Sequence, residues 1–382
     1  MKRRVLGIMI MALCGIVVGR AQSDSAFDAV AFRGIHDVYN LEFEKADAEF
    51  QQLVAMRPHH PAGYFFLGMV TWWRIVIDLD NTQYDESFYD AMDRVVDMCD
   101  SILDADPNNI TAIFFKGGAI GFKGRLSFHR DDYLAAANAG RKALPLVQTA
   151  SELDPTNYDI LLGTGMYNYY AEVIPAEYPW LKPLLLFVPP GDKKKGLEQL
   201  TIASEKGKYS SVETTYFLMQ IYFFYEKDYS KALALAQRLH GEFDRNMLFH
   251  RYLGRCYAML NNWPETRRVF GEILDRVKRG ERGYTANAAR EAEYYVGLSD
   301  MNSRDYESSL SHFFSCDSLS RDLDTKGPSG FMVMANLKVG NIYDILGKRD
   351  LAVAQYDKVL SMKEYQDSHK LAVQYLKTAA SY

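Results

Sequence analysis

Val333–Gln366 reads VMANLKVGNIYDILGKRDLAVAQYDKVLSMKEYQ, and this stretch decides the fold of the chain. Its first half places Val339 and Gly340 in one amphipathic helical pattern, and its second half places Ala352 and Tyr356 in another. The small residues let two helices approach closely, while the larger ones fill the space around them. Because such a helical hairpin cannot bury its own apolar face, it predicts neighbouring hairpins along the chain.

This spacing resembles the tetratricopeptide repeat (TPR), a helical hairpin of about 34 residues. Small residues at the eighth and twentieth positions are typical of that repeat, and Gly340 and Ala352 occupy those positions here. The resemblance covers nearly the whole chain after Ala21. It implies an all-α TPR solenoid, a right-handed superhelix of about eight helix-turn-helix units with a C-terminal capping helix over 367–380. Proteins of this family are usually non-catalytic scaffolds that bind peptides or subunits on the concave face.

The repeat register divides the chain into regular and irregular parts. Units at 27–60 and 211–366 keep the expected spacing, whereas those within 61–206 carry insertions and longer helices. Together they predict a single solenoid domain over 22–382. A glycine takes the eighth position in most units: Gly34, Gly68, Gly117, Gly165, Gly254, Gly297 and Gly340.

The N-terminus has the pattern of a secretory signal peptide over Met1–Ala21. Basic residues at its start precede an apolar run, and Gly19–Ala21 provides a small-x-small cleavage site before Gln22. We therefore expect export to the periplasm, within the cell envelope of a Gram-negative bacterium. The alternatives are an uncleaved anchor and an outer-membrane lipoprotein attached through Cys14, for which a small residue in place of Leu13 is the usual neighbour.

The composition indicates a folded protein without a nucleic-acid partner. Hydrophobic residues make up 48% of the chain and charged residues 24%, and the net charge of −5 provides no basic field. No apolar run after the signal is long enough to span a bilayer. Cys99, Cys256 and Cys316 remain beyond the signal, and so sparse an odd set predicts buried free thiols or one isolated disulfide.

No motif in the sequence indicates catalysis, a cofactor or a metal site. His59 and His60 are adjacent, but no further ligand pair follows at metal-binding spacing. Gly118, Gly121 and Gly124 are expected on a helix without a preceding strand, which excludes a dinucleotide fingerprint and favours close helix packing. We therefore expect a non-enzymatic protein, although catalytic groups could still converge from distant units.

The surfaces of the predicted superhelix are the remaining candidates for function. In a TPR, positions two, five, nine and twelve of the first helix face the concave side. This register gives an apolar, aromatic wall with a basic end: Phe65, Met69, Trp72, Phe114, Met166, Tyr169, Phe217, Phe224, Arg251 and Arg255. Aromatic and arginine side chains are enriched in binding hot spots. The alternative is that these residues belong to the core, because aromatic stripes at helical spacing are commonly packed.

The segment 173–190, VIPAEYPWLKPLLLFVPP, interrupts the fourth unit with an apolar, proline-rich insertion. Prolines oppose a long helix, and the run is too short to cross a membrane. Its large apolar residues would form an adhesive patch if exposed: Trp180, Leu184, Leu185, Leu186 and Phe187. The segment therefore either plugs the concave side or presents a surface to a partner or a lipid. We expect Asp192 to cap the helix that follows.

A second, local resemblance covers Gly163–Leu200. There, GTGMYNYY is followed by the Leu- and Pro-rich segment and then by GDKKKGLEQL, an order that is similar to the eukaryotic tetratricopeptide repeat protein thirty-nine family. The resemblance implies an unusual repeat subclass with an inserted apolar segment, and it transfers no function.

Two functions follow as hypotheses. The first is a scaffold or adaptor that docks a protein or peptide partner, such as an envelope complex, on the concave wall with Arg251 and Arg255 among its contacts. The second is a periplasmic carrier of a hydrophobic small molecule or lipid, enclosed by the aromatic wall and the insertion 173–190. Peripheral contact with lipid belongs to this second hypothesis.

Cleavage of the signal gives a first testable prediction. Expressed with its full sequence in a Gram-negative host, the protein should be recovered from the periplasm with Gln22 as its first residue. Cell fractionation and intact-mass measurement check this. The variant Ala21→Gln should keep its signal, because it removes a small residue from the cleavage site. Cytoplasmic recovery of the unaltered protein with an unprocessed N-terminus would contradict export.

Overall fold

The computed structural model describes residues 24–180 and 189–381. Within these ranges the chain forms seventeen α-helices and no β-strand, which confirms the all-α prediction. None of the helices described there is both long and apolar enough to cross a membrane. The helices are α1 (24–39), α2 (Phe43–Met56), α3 (Pro61–Val76), α4 (Asp85–Ala105), α5 (Ile110–His129), α6 (Tyr133–Leu153), α7 (Ile160–Glu177), α8 (Lys193–Lys206), α9 (Ser211–Phe224), α10 (Tyr229–Glu242), α11 (Met247–Met259), α12 (Trp263–Lys278), α13 (Ala286–Asn302), α14 (Tyr306–Leu323), α15 (Gly330–Ile345), α16 (Arg349–Leu360) and α17 (Ser368–Lys377).

Two compact units divide the chain, the first ending at Leu218 and the second beginning at Met219. Within each unit, helices pack mainly against the helices that precede and follow them in sequence. This is the packing of a helical-repeat solenoid, in which each hairpin contacts its neighbours. The single domain expected over 22–382 stays a prediction.

The contacts between glycines and aromatic rings confirm the predicted repeat register. In the second unit, a Cβ atom at Gly254 would lie 2.6 Å from the ring of Phe270, and one at Gly340 would lie 2.5 Å from the ring of Tyr356. The ring thus occupies the space that a side chain would need, so the two helices of a hairpin approach closely. The same contact recurs at the same sequence spacing between Gly34 and Phe50 and between Gly297 and Phe313.

Two glycines within 61–206 face partners at a different spacing. Gly68 of α3 faces Met92 of α4, and Gly165 of α7 faces Leu200 of α8. In both hairpins, residues inserted between the helices move the packing partner further along the chain. The small residue keeps its role, and the insertion changes only which side chain fills the space beside it.

The helix before the proline-rich insertion extends further than predicted, whereas the helix after it begins as predicted. α7 includes Pro175 and ends at Glu177, although prolines were expected to oppose a helix in 173–190. Pro175 lies in the last turn, where the loss of one backbone hydrogen bond leaves the preceding turns intact. Asp192 caps α8 as predicted, since its carboxylate accepts a 2.9 Å hydrogen bond from the backbone N–H of Lys195.

The cysteines of the described chain are buried free thiols, as the sequence predicts. Cys99, Cys256 and Cys316 each lie in the packed interior of a helical hairpin. Burial raises the pKa of each thiol to about 12. The three side chains therefore remain protonated and pack as small hydrophobic groups.

A stacked pair of histidines is buried in the second unit and was not predicted. The ring centroids of His240 and His250 lie 4.2 Å apart, and the ring planes are inclined by 15°. His250 is fully buried, and its Nδ1 lies 3.0 Å from the hydroxyl of Tyr284. Burial, together with the stacked His240 and the charges of Arg276 and Arg268, lowers the pKa of His250 to about 2. The ring is therefore neutral at physiological pH.

We expect His250 to make the second unit sensitive to acid. As the pH falls from about 7 to about 5, an unfolded histidine with a pKa near ~6.5 takes up a proton that folded His250 does not bind. The free energy of unfolding therefore falls, and for this one residue the loss at pH ~5 is about 2 kcal/mol.

Urea unfolding at the two pH values checks this prediction. The loss of stability should be smaller in His250→Phe than in the unaltered protein by about 2 kcal/mol. His59→Phe, a change at an exposed histidine, should behave like the unaltered protein. Equal losses in all three proteins would show that His250 does not carry the effect.

Candidate functional site

An apolar cavity of about 430 Å³ lies in the first unit. Its lining residues come from several helices, the first of which is α1 and the last α9. Segments that are distant in sequence thus converge on one space. Its volume falls within the range of roughly 300–1,000 Å³ that small-molecule sites occupy. Its apolar wall includes Ile35, Phe65, Met69, Phe122, Leu144 and Met166.

Small residues on facing helices create this space. Gly121 of α5 and Gly140 of α6 line the cavity, and no atom beyond their own stretches of helix lies within 4 Å of where a Cβ would stand. Gly124 differs, because a Cβ there would lie 2.6 Å from the Cβ of Ala139. Close helix packing thus accounts for Gly124, as predicted, but the same prediction is wrong for Gly121, because no atom of another helix lies beside it. A larger side chain at Gly121 or Gly140 would project into the cavity.

Aromatic rings form a further part of the wall. The ring of Phe65 contacts the ring of Phe115 at 5.3 Å and that of Phe122 at 6.0 Å, with planes inclined by 60° and 72°. Edge-to-face contacts of this kind contribute about 0.5–1.5 kcal/mol each beyond the burial of area. They hold the rings in fixed orientations, so this wall is formed before any ligand arrives.

A buried carboxylate joins four helices at the cavity wall. Glu213 of α9 is 3% exposed, and it accepts hydrogen bonds from the Tyr39 hydroxyl at 2.9 Å and the Trp73 indole N–H at 3.2 Å. Its other oxygen accepts a 2.9 Å hydrogen bond from the guanidinium of Arg125. All four residues line the cavity. Because an unpaired buried carboxylate is costly, the group fixes α1, α3, α5 and α9 relative to one another.

The guanidinium of Arg125 is held by rings as well as by the carboxylate. Its central carbon lies 3.9 Å from the ring centroid of Phe217 and 4.7 Å from that of Trp72. Burial beside Glu213 raises the pKa of Tyr39 well above its usual range, so the Tyr39 hydroxyl remains a donor. The group therefore combines one negative and one positive charge and presents no excess charge to the cavity.

Asp159, the second acidic residue of the cavity wall, also forms hydrogen bonds within the fold. Asp159 accepts hydrogen bonds from the backbone N–H groups of Tyr209 and Ser210, each at 3.0 Å, and from the Ser210 hydroxyl at 2.9 Å. These contacts hold the start of α9. Across residues 24–180 and 189–381, no group of three or more histidine, cysteine, aspartate or glutamate side chains is placed to bind a metal ion. The two carboxylates of the cavity, Glu213 and Asp159, thus stabilise its walls.

The structure brings half of the predicted wall residues together around the cavity. Phe65 and Met69 come from α3, Phe114 from α5, Met166 from α7 and Phe217 from α9. The predicted register therefore selected side chains that share one apolar space. Trp72 and Tyr169, by contrast, are fully buried outside the cavity lining, which is the position that the core alternative describes.

The described part of the insertion lies beside the cavity. Trp180 is 59% exposed, and its ring contacts the cavity-lining Tyr133 at 5.1 Å. The hydroxyl of Tyr167, another lining residue, donates a hydrogen bond to the carbonyl of Pro189. The remaining predicted residues of this segment, Leu184, Leu185, Leu186 and Phe187, lie outside the described residues.

The predicted basic end lies in the second unit and is paired with a buried carboxylate. The Nε of Arg251 and the Nη2 of Arg255 each donate to Glu291 at 2.7 Å. Burial alone would raise the pKa of Glu291, but the two guanidinium groups lower it to about 2. Phe224, also in this unit, is 44% exposed.

Sequence reasoning missed the polar group around Glu213. A signal for it exists, because Glu213 is the one charged residue in α9, SVETTYFLMQIYFF. An isolated glutamate in so apolar a helix indicates a buried, paired carboxylate. Its partners follow from no local pattern, since Tyr39 and Trp73 are 174 and 140 positions away.

Removal of the carboxylate should destabilise the protein strongly. Glu213→Leu leaves Arg125 charged and unpaired in the wall, so the free energy of unfolding should fall by about 3–5 kcal/mol. Adding Arg125→Met removes the unpaired charge and should recover part of that loss. Urea unfolding measures both changes. Glu205→Leu, at an exposed position, should stay within about 0.5 kcal/mol of the unaltered protein. Additive losses in the double variant would contradict the pairing.

Comparisons with known proteins found similar solved structures but no matching family. No protein-family model and no curated protein matches the chain. Among solved structures, the C-terminal part of a TPR repeat-containing protein from Cytophaga hutchinsonii is 15% identical and covers 77% of this chain and 95% of its own, with a TM-score of 0.36.

Two further solved structures are similar at the same level. A human IFIT1 dimer with m7Gppp-AAAA is 14% identical, covering 93% of this chain and 85% of its own at a TM-score of 0.39. The apo form of RapI is 12% identical, covering 88% and 87% at a TM-score of 0.43. These similarities support no statement about a ligand or partner. The repeat register of the chain itself makes it a TPR-like all-α solenoid by fold.

Proposed function

We propose that the protein is an exported, non-catalytic binding scaffold that holds a hydrophobic small molecule or lipid in the cavity of its first unit. The cavity is the observation that carries this proposal, because about 430 Å³ of apolar space is bounded by preformed aromatic walls. Burial of apolar ligand surface contributes roughly 25 cal/mol per Å². The signal pattern of Met1–Ala21 supports the exported location.

The polar chemistry of the wall favours an apolar molecule over a peptide. A peptide segment brings a backbone N–H and a carbonyl with almost every residue, and each needs a partner once buried. Glu213 and Asp159 already accept three hydrogen bonds each from the fold. A hydrocarbon chain or ring system needs no hydrogen-bond partners, so its burial against this wall leaves no polar group unpaired.

Blocking the cavity tests the proposal. N-phenyl-1-naphthylamine is an uncharged, apolar probe whose fluorescence rises in apolar surroundings, and the unaltered protein should bind it saturably. Gly140→Leu and Gly121→Leu place a side chain in the open space of the cavity. Each should weaken probe binding at least about tenfold, since a filled site excludes the ligand.

Gly271→Leu is the matched control, because Gly271 is also a mid-helix glycine with open space around it, but it lies in α12 of the second unit. This variant should bind the probe like the unaltered protein. Circular dichroism should show the same helix content in all variants. Unchanged binding in both cavity variants, or a lack of binding by the unaltered protein, would refute the proposed site.

A further inference from the structure

Of the two arginines that line the cavity, one is paired with a carboxylate and the other is not. Four charged side chains line it: Arg125, Arg141, Asp159 and Glu213. Arg125 is neutralised by Glu213 at 2.9 Å. Asp159 is stabilised by three donors at the start of α9. Arg141 is the cation in this set that no acidic group neutralises.

Arg141 differs from Arg125 in both exposure and bonding. It is exposed, and its one hydrogen bond in the described chain goes to the side-chain oxygen of Asn138 at 3.2 Å. No carboxylate in residues 24–180 and 189–381 pairs with it. Its guanidinium therefore keeps a full charge and free donors at the edge of an otherwise apolar space.

The position of Arg141 on α6 relates that charge to the open volume. Gly140 precedes it and has no neighbouring atom within 4 Å of its Cβ position. Both residues line the cavity, and Arg141 also reaches solvent. A ligand with its apolar part beside Gly140 would have its end near the guanidinium, where water can still reach a polar group.

We propose that the ligand is an anionic amphiphile whose hydrocarbon chain occupies the cavity and whose head group pairs with Arg141. This inference rests on the proposed function and names the class of ligand. A carboxylate or a phosphate monoester would satisfy it, because both accept paired hydrogen bonds from a guanidinium. The chain supplies affinity through burial, and the head group supplies selectivity at the water-accessible edge.

Three probes with the same chain separate these contributions: laurate, dodecyl phosphate and dodecanol, each measured by displacement of N-phenyl-1-naphthylamine from the full-length protein. Arg141→Gln should weaken binding of an anionic probe roughly fivefold, the size of a charge pair at an accessible position. It should leave dodecanol binding unchanged. The anionic probe with the larger loss identifies the head group.

Lys142→Gln is the matched control, since it removes one positive charge at the next position of the same helix, on an exposed side chain that does not line the cavity. It should leave all three affinities nearly unchanged. The inference is overturned if Arg141→Gln leaves both anionic probes unaffected, if it weakens dodecanol equally, or if Lys142→Gln has the same effect. Failure of the proposed function is distinct, because dodecanol would then not bind or would be insensitive to Gly140→Leu.

Discussion

The fit between a glycine and the side chain opposite it controls how closely the helices of this protein approach. In the regular hairpins an aromatic ring fills the space beside the glycine, as Phe270 does beside Gly254. The core there is closed, and each hairpin resembles the next. Around Gly121 and Gly140 no side chain takes that place, and the space remains open. One packing rule therefore produces both the solid repeats and the cavity.

An apolar cavity persists only if the helices around it do not move together. The hydrogen bonds and the ion pair of Glu213 oppose such movement. Dispersion and the hydrophobic effect favour closing an apolar gap. Movement of α5 toward the gap would separate Arg125 from Glu213, leaving a charge unpaired in a buried place. Movement of α1 or α3 would remove the donors Tyr39 or Trp73 from the same carboxylate. We therefore expect the contacts of Glu213 to oppose closure of the apolar volume.

The sequence predicts the local features of this arrangement well and the long-range ones poorly. The hairpin register follows from spacings within about 34 residues, which is why Gly340 and Tyr356 identify their own contact. Asp192 likewise caps the helix directly after it. The cavity depends on the absence of a side chain beside Gly121 and Gly140, and its walls come from helices that are far apart in sequence. Its volume is therefore a property of tertiary packing that no periodic pattern encodes.

The two units also show why residue type alone does not locate a binding charge. Arg251 and Arg255 occupy the expected register and look available in sequence, yet both are bound to Glu291 in the interior of the second unit. Arg141 lies outside that register, on the second helix of its hairpin, and keeps its charge unpaired at an apolar space. Whether an arginine can bind a ligand depends on whether the folded chain places a carboxylate beside it. In the second unit, the buried carboxylate of Glu291 neutralises the two predicted arginines. In the first unit, Arg141 was not predicted, and its guanidinium remains open to a ligand.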